Sequence, residues 1–273
     1  MNVFITGASG GLGRAMANEC GRRGYNMLLC DINERGLQSI QRGLERQFGV
    51  TVTTVACDLT SDTSVDTLLQ KLDAYQIRFD MLLNIAGLDY EGSFLERDRK
   101  DISRIISLNN VATLRITHAI LSRRRENLPF YLMFTSSLAS MYPMPLKATY
   151  AASKRFLLDI AVALGAELKK ENVNVLALCP GGLATTREAM EGIAAQGFWG
   201  GATTNPLERV SKQTIDRLER CGGVFIPGAL NRTLTFFGNL LPRKVVAAVI
   251  YQRWSKAQEH WNPVEFSSSM TNS

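Results

Sequence analysis

The chain has 273 residues, of which 45% are hydrophobic and 21% charged, and a formal net charge of +6. This composition is ordinary for a globular protein and the length suits one large α/β domain or two small ones. No apolar run approaches the roughly 18 residues that span a bilayer. No charged leader precedes the strand-like run at residues 2–5, so we expect a cytoplasmic protein.

Cysteine and histidine usage argues against a metal site. The five cysteines form no C-x-x-C pair, and the two histidines lie far apart in the sequence. Cys30, Cys57 and Cys179 each fall near the end of an apolar run, which favours buried reduced thiols. The one dense basic run, residues 123–125, is interpreted as a solvated helix end, so we expect no nucleic-acid partner.

Apolar runs alternate with amphipathic helical segments along the chain. Strands are predicted at residues 3–6, 26–30, 52–57, 81–84, 130–135, 173–178 and 224–226. Such alternation predicts an α/β fold with a doubly wound parallel sheet, the Rossmann arrangement. We expect one domain over residues 1–266, with a helical substrate lid at 183–222, a C-terminal helical extension at 229–261 and a disordered tail at 267–273.

A glycine-rich loop follows the first predicted strand and leads into a helix. Its sequence is TGASGGLG, from Thr6 to Gly13. Gly7 permits a tight turn, Gly11 lets main-chain amides approach a pyrophosphate, and Gly13 allows close packing of the helix. The strand–loop–helix context favours nucleotide binding over an ordinary turn.

Asp31 closes the second predicted strand. A carboxylate there can accept hydrogen bonds from both ribose hydroxyls of adenosine and repels a 2′-phosphate, which favours NAD over NADP. The loop itself carries no cation, although Arg14 and Arg35 lie nearby in the sequence. The alternative role for Asp31 is to cap the next helix.

Tyr150 and Lys154 lie four residues apart in a predicted helix and therefore share one face. A nearby ammonium lowers the pKa of a phenol, which would let Tyr150 exchange a proton with an alcohol or ketone near neutral pH. Ser137 follows the fifth predicted strand, where it could bind the reacting oxygen. Asn109 is a polar residue in an apolar helix and could orient a water chain to Lys154. An incidental exposed pair is the alternative for Tyr150 and Lys154.

These motifs occur in the order found in the short-chain dehydrogenase/reductase family, and the chain resembles its single-domain members. The matching elements are T-G-x-x-x-G-x-G at 6–13, Asp58, a variant N-x-A-G at 84–87, Asn109, Ser137, Y-x-x-x-K at 150–154 and P-G-x-x-x-T at 180–185. The departure is Ile85, where the family usually has a second asparagine.

The resemblance implies an oxidoreductase in which Tyr150 is the acid/base and Lys154 lowers its pKa and binds the nicotinamide ribose. Ser137 would position the reacting oxygen and Asn109 would hold a relay water. The residues expected to bind the cofactor are Thr6, Gly7, Ser9, Gly11, Leu12, Gly13, Asp31, Asp58, Leu59, Asn84, Ala86, Gly87, Tyr150, Lys154, Pro180, Gly181 and Thr185. The family also implies a homodimer or homotetramer.

The substrate is expected to be an apolar, bulky secondary alcohol or ketone, such as a hydroxysteroid, a bile acid or a lipid-derived carbonyl. Tyr142, Met144 and Met190 are the candidate contacts, because flexible methionine side chains suit irregular apolar ligands. For the extension at 229–261, packing within the protein or between subunits is preferred to contact with a membrane surface.

Two other functions remain open at this point. A catalytically silent NAD-binding regulator could keep the same fold, although such a protein would not need Tyr150 as a proton donor. Epimerases and dehydratases of related fold usually space their glycines differently and add a larger substrate domain.

Overall fold

The structure, a computed structural model, describes residues 1–183, 201 and 203–258, of which 255–258 are described by their backbone alone. A parallel sheet of seven strands forms its centre, in the order β3-β2-β1-β4-β5-β6-β7. The strands are β1 Asn2–Thr6, β2 Asn26–Asp31, β3 Val52–Ala56, β4 Met81–Asn84, β5 Phe130–Thr135, β6 Val173–Leu178 and β7 Gly223–Phe225. All seven predicted strands are confirmed to within one residue at either end.

Helices cover both faces of the sheet. The described α-helices are α1 Gly11–Arg22, α2 Glu34–Phe48, α3 Asp62–Ala74, α4 Arg99–Ile106, α5 Thr113–Leu121, α6 Ala148–Glu167, α7 Leu207–Arg220, α8 Ala229–Gly238 and α9 Arg243–Gln258. A π-helical turn, Ser107–Ala112, joins α4 to α5, and short 3₁₀ helices occupy Leu138–Met141 and Leu168–Glu171.

Each strand contributes to two separate cores because its side chains alternate between the faces of the sheet. On β1, Phe4 packs with α3, α5 and α6, whereas Ile5 packs with α1, α2 and α7. Both side chains are fully buried. This arrangement confirms the predicted doubly wound α/β fold and brings the carboxyl ends of all strands to one edge.

The second half of the predicted lid is instead a helix of the main core. Helix α7 buries Val210, Ile215 and Leu218 against the sheet. Arg23 of α1 also forms ion pairs with two α7 carboxylates, Asp216 and Glu219. The lid prediction was therefore wrong for residues 207–220, whose apolar face is needed to cover the sheet. Residues 184–200 and 202 of the predicted lid lie outside the described residues.

The basic run at residues 123–125 follows the end of α5, and each of its arginines forms an ion pair. Arg123 binds Asp73 at 2.6 Å, Arg124 binds Glu171 at 3.0 Å and Arg125 binds Asp80 at 3.4 Å. The side chains of Arg124 and Arg125 remain 35% and 42% exposed, so the run is a solvated helix end in which the fold also brings a carboxylate to each arginine.

The cysteines are free thiols, and Cys20, Cys30, Cys57 and Cys179 are buried as expected of strand and helix interiors. Among the described residues, no group of three histidine, cysteine or carboxylate side chains is placed to hold a metal ion. No helix in the described ranges is both long and apolar enough to cross a bilayer. Helices α8 and α9 fall within the expected extension, whereas residues 259–261 and the tail at 267–273 lie outside the described part.

Candidate active site

The glycine-rich loop and the loop after β4 are joined by one hydroxyl group. Thr6 Oγ1 accepts hydrogen bonds from the main-chain amides of Ile85 and Ala86, at 3.1 and 3.2 Å. Gly7 has φ +65°, and a Cβ atom added there would lie 2.6 Å from the Ala86 nitrogen. Gly7 is thus required both by its backbone conformation and by the closeness of the second loop. Ile85 keeps its amide in this contact while its side chain packs on the core.

The start of α1 suits a phosphate group. Its first residue is Gly11, preceded by Gly10, and no side chain caps the helix. A Cβ atom added at Gly13 would overlap the main chain at Gly7 and Ala8, so the turn is as tight as the motif requires. An uncapped helix start leaves main-chain amides and the positive end of the helix dipole for an anion. The loop from Ser9 through Leu12 therefore fits the pyrophosphate of a dinucleotide.

Asp31 lies beside this loop at the end of β2. Its two carboxylate oxygens accept hydrogen bonds from the amides of Ser9, at 2.9 Å, and Asn33, at 3.0 Å. The residue that caps α2 is Asn33, whose side chain accepts from the Gly36 amide, so the capping alternative for Asp31 was wrong. Arg14 uses its Nε to bind the Ser9 carbonyl oxygen. The carboxylate thus faces the loop where the ribose of a dinucleotide would lie.

The residues expected on the adenosine side follow β3 and β4. Asp58 accepts hydrogen bonds from the amide and hydroxyl of Thr60, which hold the pKa of Asp58 below its ordinary value. Leu59 is buried beside it. Asn84 donates to Thr117 at 2.9 Å, whereas its Oδ1 is buried without a partner among the described residues. Its amide thus fixes the end of β4 against α5.

Helix α6 carries Tyr150 and Lys154 to the carboxyl end of β5. Lys154 is buried, and its Nζ lies 5.7 Å from the centre of the Tyr150 ring. The ammonium donates a hydrogen bond to the Thr135 carbonyl oxygen at 2.9 Å. Ser137, two residues beyond β5, accepts from the Ala139 amide and interacts with the Tyr150 phenol. The fold therefore brings together Ser137, Tyr150 and Lys154, as predicted from their order in the sequence.

Gly87 provides the space in which Lys154 and Asn109 meet. A Cβ atom added at Gly87 would lie 3.1 Å from both Lys154 Nζ and Asn109 Oδ1. The absence of a side chain at this position thus leaves the amine and the amide facing the same gap.

Asn109 is held by the π-helical turn rather than by a regular helix. Its Oδ1 accepts from the Leu88 amide at 2.8 Å, and its Nδ2 donates to the Leu88 carbonyl and to Ser153 Oγ, each at 3.0 Å. The neighbouring Asn110 donates to the Ser153 carbonyl. π-turns often occur at functional sites. Sequence reasoning missed Asn110 and Ser153, although Ser153 lies within the quoted Y-x-x-x-K motif.

The direction of the Tyr150 pKa shift differs from the sequence prediction. Burial raises the pKa of Tyr150 above its ordinary value, and the charge of Asp89 raises it further, while Ser137 acts in the opposite direction. Burial lowers the pKa of Lys154 to about 8, against the influence of Asp89. The expectation of a phenol pKa near neutrality was therefore wrong, because desolvation disfavours both charged forms.

A second cation beside Tyr150 was also missed. Lys147 Nζ lies 5.6 Å from the centre of the Tyr150 ring and 5.4 Å from that of Trp254 in α9. It forms an ion pair with Asp89 Oδ2 at 2.9 Å. Lys147 precedes Tyr150 by three residues, so helical spacing could have indicated it. Nothing in the sequence indicates its pairing with Asp89, which comes from the loop after β4.

The candidate substrate residues are partly described. Tyr142 is half-buried and donates from its hydroxyl to the Leu234 carbonyl oxygen of α8 at 2.8 Å. Met144 is half-buried in the same loop. The Pro180 carbonyl oxygen accepts from the Leu138 amide, and Gly181 approaches Asn231 of α8. Met190 and Thr185 lie outside the described residues.

The model of the family described as short chain dehydrogenase matches residues 1–194. A very-long-chain 3-oxoacyl-CoA reductase from Vanderwaltozyma polyspora is 32% identical over 183 residues, which cover 63% of this chain and 52% of that protein. The chain thus matches little more than half the length of this relative.

Solved structures share the fold. A short-chain dehydrogenase from Sphingobium yanoikuyae in complex with NADPH has a TM-score of 0.72 and 25% identity, covering 87% of this chain and 92% of that one. A 3-oxoacyl-[acyl-carrier protein] reductase with bound NAD from Brucella melitensis has a TM-score of 0.70 and 24% identity, covering 83% and 88%. The second likeness concerns the fold alone. The family match extends over more than half of the chain and includes every motif on which the site depends, and the chain therefore belongs to the short-chain dehydrogenase family of oxidoreductases.

Proposed function

We propose that this protein uses NADH to reduce the ketone of a lipid-derived 3-oxoacyl thioester to a secondary alcohol. The observation that carries the proposal is the convergence of Ser137, Tyr150 and Lys154 at the carboxyl end of β5. Ligands bind at this edge in doubly wound sheets.

Each of the four site residues has a separate role in the proposed reduction. When bound, the reduced nicotinamide supplies a hydride to the carbonyl carbon. Ser137 donates a hydrogen bond to the carbonyl oxygen as negative charge develops there. Tyr150 then transfers its phenolic proton to that oxygen, which completes the alcohol. Lys154 stabilises the resulting phenolate by its charge, and Asn109 orients water that returns a proton to the site.

The protonation state of Tyr150 suits the direction of reduction. A reductase needs a protonated phenol when the ketone binds, and a phenol whose pKa burial raises above its ordinary value holds its proton. The attraction between the Lys154 ammonium and Tyr150 is strongest after Tyr150 has given up its proton, because the tyrosine is then a phenolate.

Asp31 supports NADH as the reductant. Its carboxylate lies between the Ser9 and Asn33 amides, where it would accept from the ribose hydroxyls and repel a 2′-phosphate. Arg14, the first cation after the loop in the sequence, donates from its Nε to the Ser9 carbonyl oxygen.

The relatives support a lipid-derived carbonyl among the substrates considered from the sequence. Several fungal proteins that match this chain are named very-long-chain 3-oxoacyl-CoA reductase. Their substrates, by name, carry a long apolar chain on a phosphate-bearing carrier. This name favours an acyl thioester over a hydroxysteroid or a bile acid.

A basic cleft beside the site suits such a carrier. It has a volume of about 910 Å³ and is lined by Thr60, Arg97, Asp98, Arg99, Lys100, Ser103, Arg104 and Ser107. Arg97 also borders a small cavity of about 30 Å³ that Tyr150 lines, so the cleft and the tyrosine are near neighbours. The Nη1 atom of Arg97 is buried without a hydrogen-bond partner in the described part of the chain. A phosphate would satisfy this donor and pair with the surrounding cations.

The experiment compares a long-chain 3-oxoacyl-CoA with the N-acetylcysteamine thioester of the same acid, following NADH absorbance. Both should be reduced, with a lower KM for the CoA ester. The double variant Arg99→Ala/Lys100→Ala should raise KM for the CoA ester about tenfold and leave the other ester unchanged. Lys169→Ala/Lys170→Ala, on the 3₁₀ helix before β6, is the matched control. If simple ketones are reduced but neither thioester is, the substrate assignment is wrong.

A further inference from the structure

Helix α8 buries two polar side chains and leaves its leucine and phenylalanine side chains exposed. Asn231 and Thr235 are 1% and 7% exposed, whereas Phe236 and Phe237 are 64% and 61% exposed. Asn231 Nδ2 donates to the carbonyl oxygens of Thr203 and Pro227, and Thr235 Oγ1 donates to that of Asn231. A helix at the surface of a globular protein normally has the opposite arrangement.

The apolar surface continues from α8 into the start of α9. We call this the extension face and define it by Phe236, Phe237, Leu240, Leu241, Val245 and Val249, which are 47 to 68% exposed. Large apolar side chains scattered singly over a surface need no explanation, but contiguous ones mark an interaction site. The expectation that this segment packs within the protein does not account for these side chains, which the described part of the chain leaves uncovered.

The same segment is strongly basic. Residues 229–250 contain Arg232, Arg243 and Lys244 and include no aspartate or glutamate. Exposed apolar side chains among cations are typical of helices that lie in the interface of an anionic membrane. We infer that the extension face binds the surface of an anionic lipid bilayer, with α8 and the start of α9 lying in the headgroup region.

The charge distribution argues against a second copy of this chain as the occupant. A two-fold dimer through this face would bring the same surface together from both subunits. It would then bring together Arg232, Arg243 and Lys244 of both subunits and supply no carboxylate from residues 229–250 of either one. Such like-charge pairing disfavours association, whereas anionic headgroups complement the same charges.

Membrane binding would place the substrate loop at the bilayer edge. Tyr142 is bound to α8 through the Leu234 carbonyl oxygen, and its ring lies against Gly238. The loop that precedes Tyr150 is therefore attached directly to the proposed docking helix. This link to substrate supply rests on the proposed function, whereas binding to lipid can be measured without any turnover.

The test is co-sedimentation of the full chain with vesicles of phosphatidylcholine and phosphatidylglycerol, or of phosphatidylcholine alone. The wild type should sediment with the anionic vesicles, and added salt should weaken the binding. Phe236→Ser/Phe237→Ser and Arg243→Glu/Lys244→Glu should each lower the partition coefficient about tenfold or more. Tyr75→Ser is the matched control, since Tyr75 is 77% exposed at the end of α3.

Three results would overturn the inference. The wild type could remain in the supernatant with both vesicle types, or both double variants could bind as tightly as the wild type. Alternatively, the lipid-free protein could be a dimer that the phenylalanine variant dissociates, which would make the face a subunit interface. If the phenylalanine variant does not fold, the result for Arg243→Glu/Lys244→Glu alone tests the inference. Both of these side chains are exposed, so we expect their replacement to leave the fold intact.

Discussion

Lys154 is hydrogen-bonded to the end of β5 through both its side-chain amine and its main-chain carbonyl group. Its Nζ donates to the Thr135 carbonyl oxygen at 2.9 Å, and its own carbonyl oxygen accepts from Ser136 Oγ at 2.7 Å. Ser137 follows in the same chain segment. One strand end therefore positions both the cation of the site and the hydroxyl that would bind the reacting oxygen, so the spacing between them does not depend on a flexible loop.

Replacing the proposed proton donor should separate catalysis from cofactor binding. In Tyr150→Phe the ring remains but the transferable proton is lost, so turnover should fall at least about 100-fold. NADH affinity, measured by fluorescence titration, should change little. Tyr131→Phe, at the opposite end of β5, is the control for loss of a phenol. An unchanged kcat in Tyr150→Phe would show that this residue is not the acid.

Burial of Lys154 predicts a pH-dependent stability. Its pKa falls from the ordinary 10.5 to about 8 in the folded protein. Between these values the unfolded chain holds a proton that the folded protein has lost, so this residue makes stability rise with pH across that window. Below about pH 8 the charged form is buried at a cost.

The variant Lys154→Met should therefore be more stable than the wild type at pH 7, by roughly 2 kcal/mol after the lost bond to Thr135 is allowed for. The advantage should shrink towards about pH 10, where the wild-type amine is neutral in the folded state. Urea unfolding of both proteins at the two pH values measures the difference. A difference that is constant with pH would contradict the assigned cause.

Removing the charge of Asp31 should relax the choice of cofactor. Asp31→Asn retains an oxygen acceptor for one of the two amides but no longer repels a 2′-phosphate. The ratio of kcat/KM for NADH to that for NADPH should fall about tenfold, a change of roughly 1.4 kcal/mol. Arg35→Ala tests whether that nearby cation contributes to the binding of NADPH. A wild-type enzyme that already prefers NADPH would contradict the assignment of NADH as the cofactor.

The sheet could be predicted from the sequence because both of its faces are covered. Strands buried on both sides appear as short continuous apolar runs, as in residues 81–84 and 173–178, and glycines or polar residues mark their ends. Several motifs then locate the site because they follow strands, as Gly7, Asp58 and Ser137 do, whereas Asn109 and the Tyr150–Lys154 pair lie on helical segments. Local pattern and overall fold agree along this part of the chain.

Contacts between distant residues could not be predicted in the same way. The pairing of Arg123 with Asp73 spans fifty residues, and that of Lys147 with Asp89 spans fifty-eight. The Tyr150 pKa depends on how much of the ring is buried, which no spacing reveals. The π-turn that holds Asn109 differs from an α-helix by its hydrogen bonding alone, and the side-chain pattern of residues 105–111 does not distinguish the two.

The inverted polarity of α8 determines how firmly the helix stays attached in different media. Apolar packing against a protein body gives little advantage once hydrocarbon surrounds it, because lipid tails are as apolar as leucine. The hydrogen bonds that join α8 to other segments, from Asn231 to the Thr203 carbonyl oxygen and from Tyr142 to the Leu234 carbonyl oxygen, instead become stronger as the local dielectric constant falls. A helix attached through amide and hydroxyl groups can thus pass from water into oil-like surroundings without loosening from its parent domain.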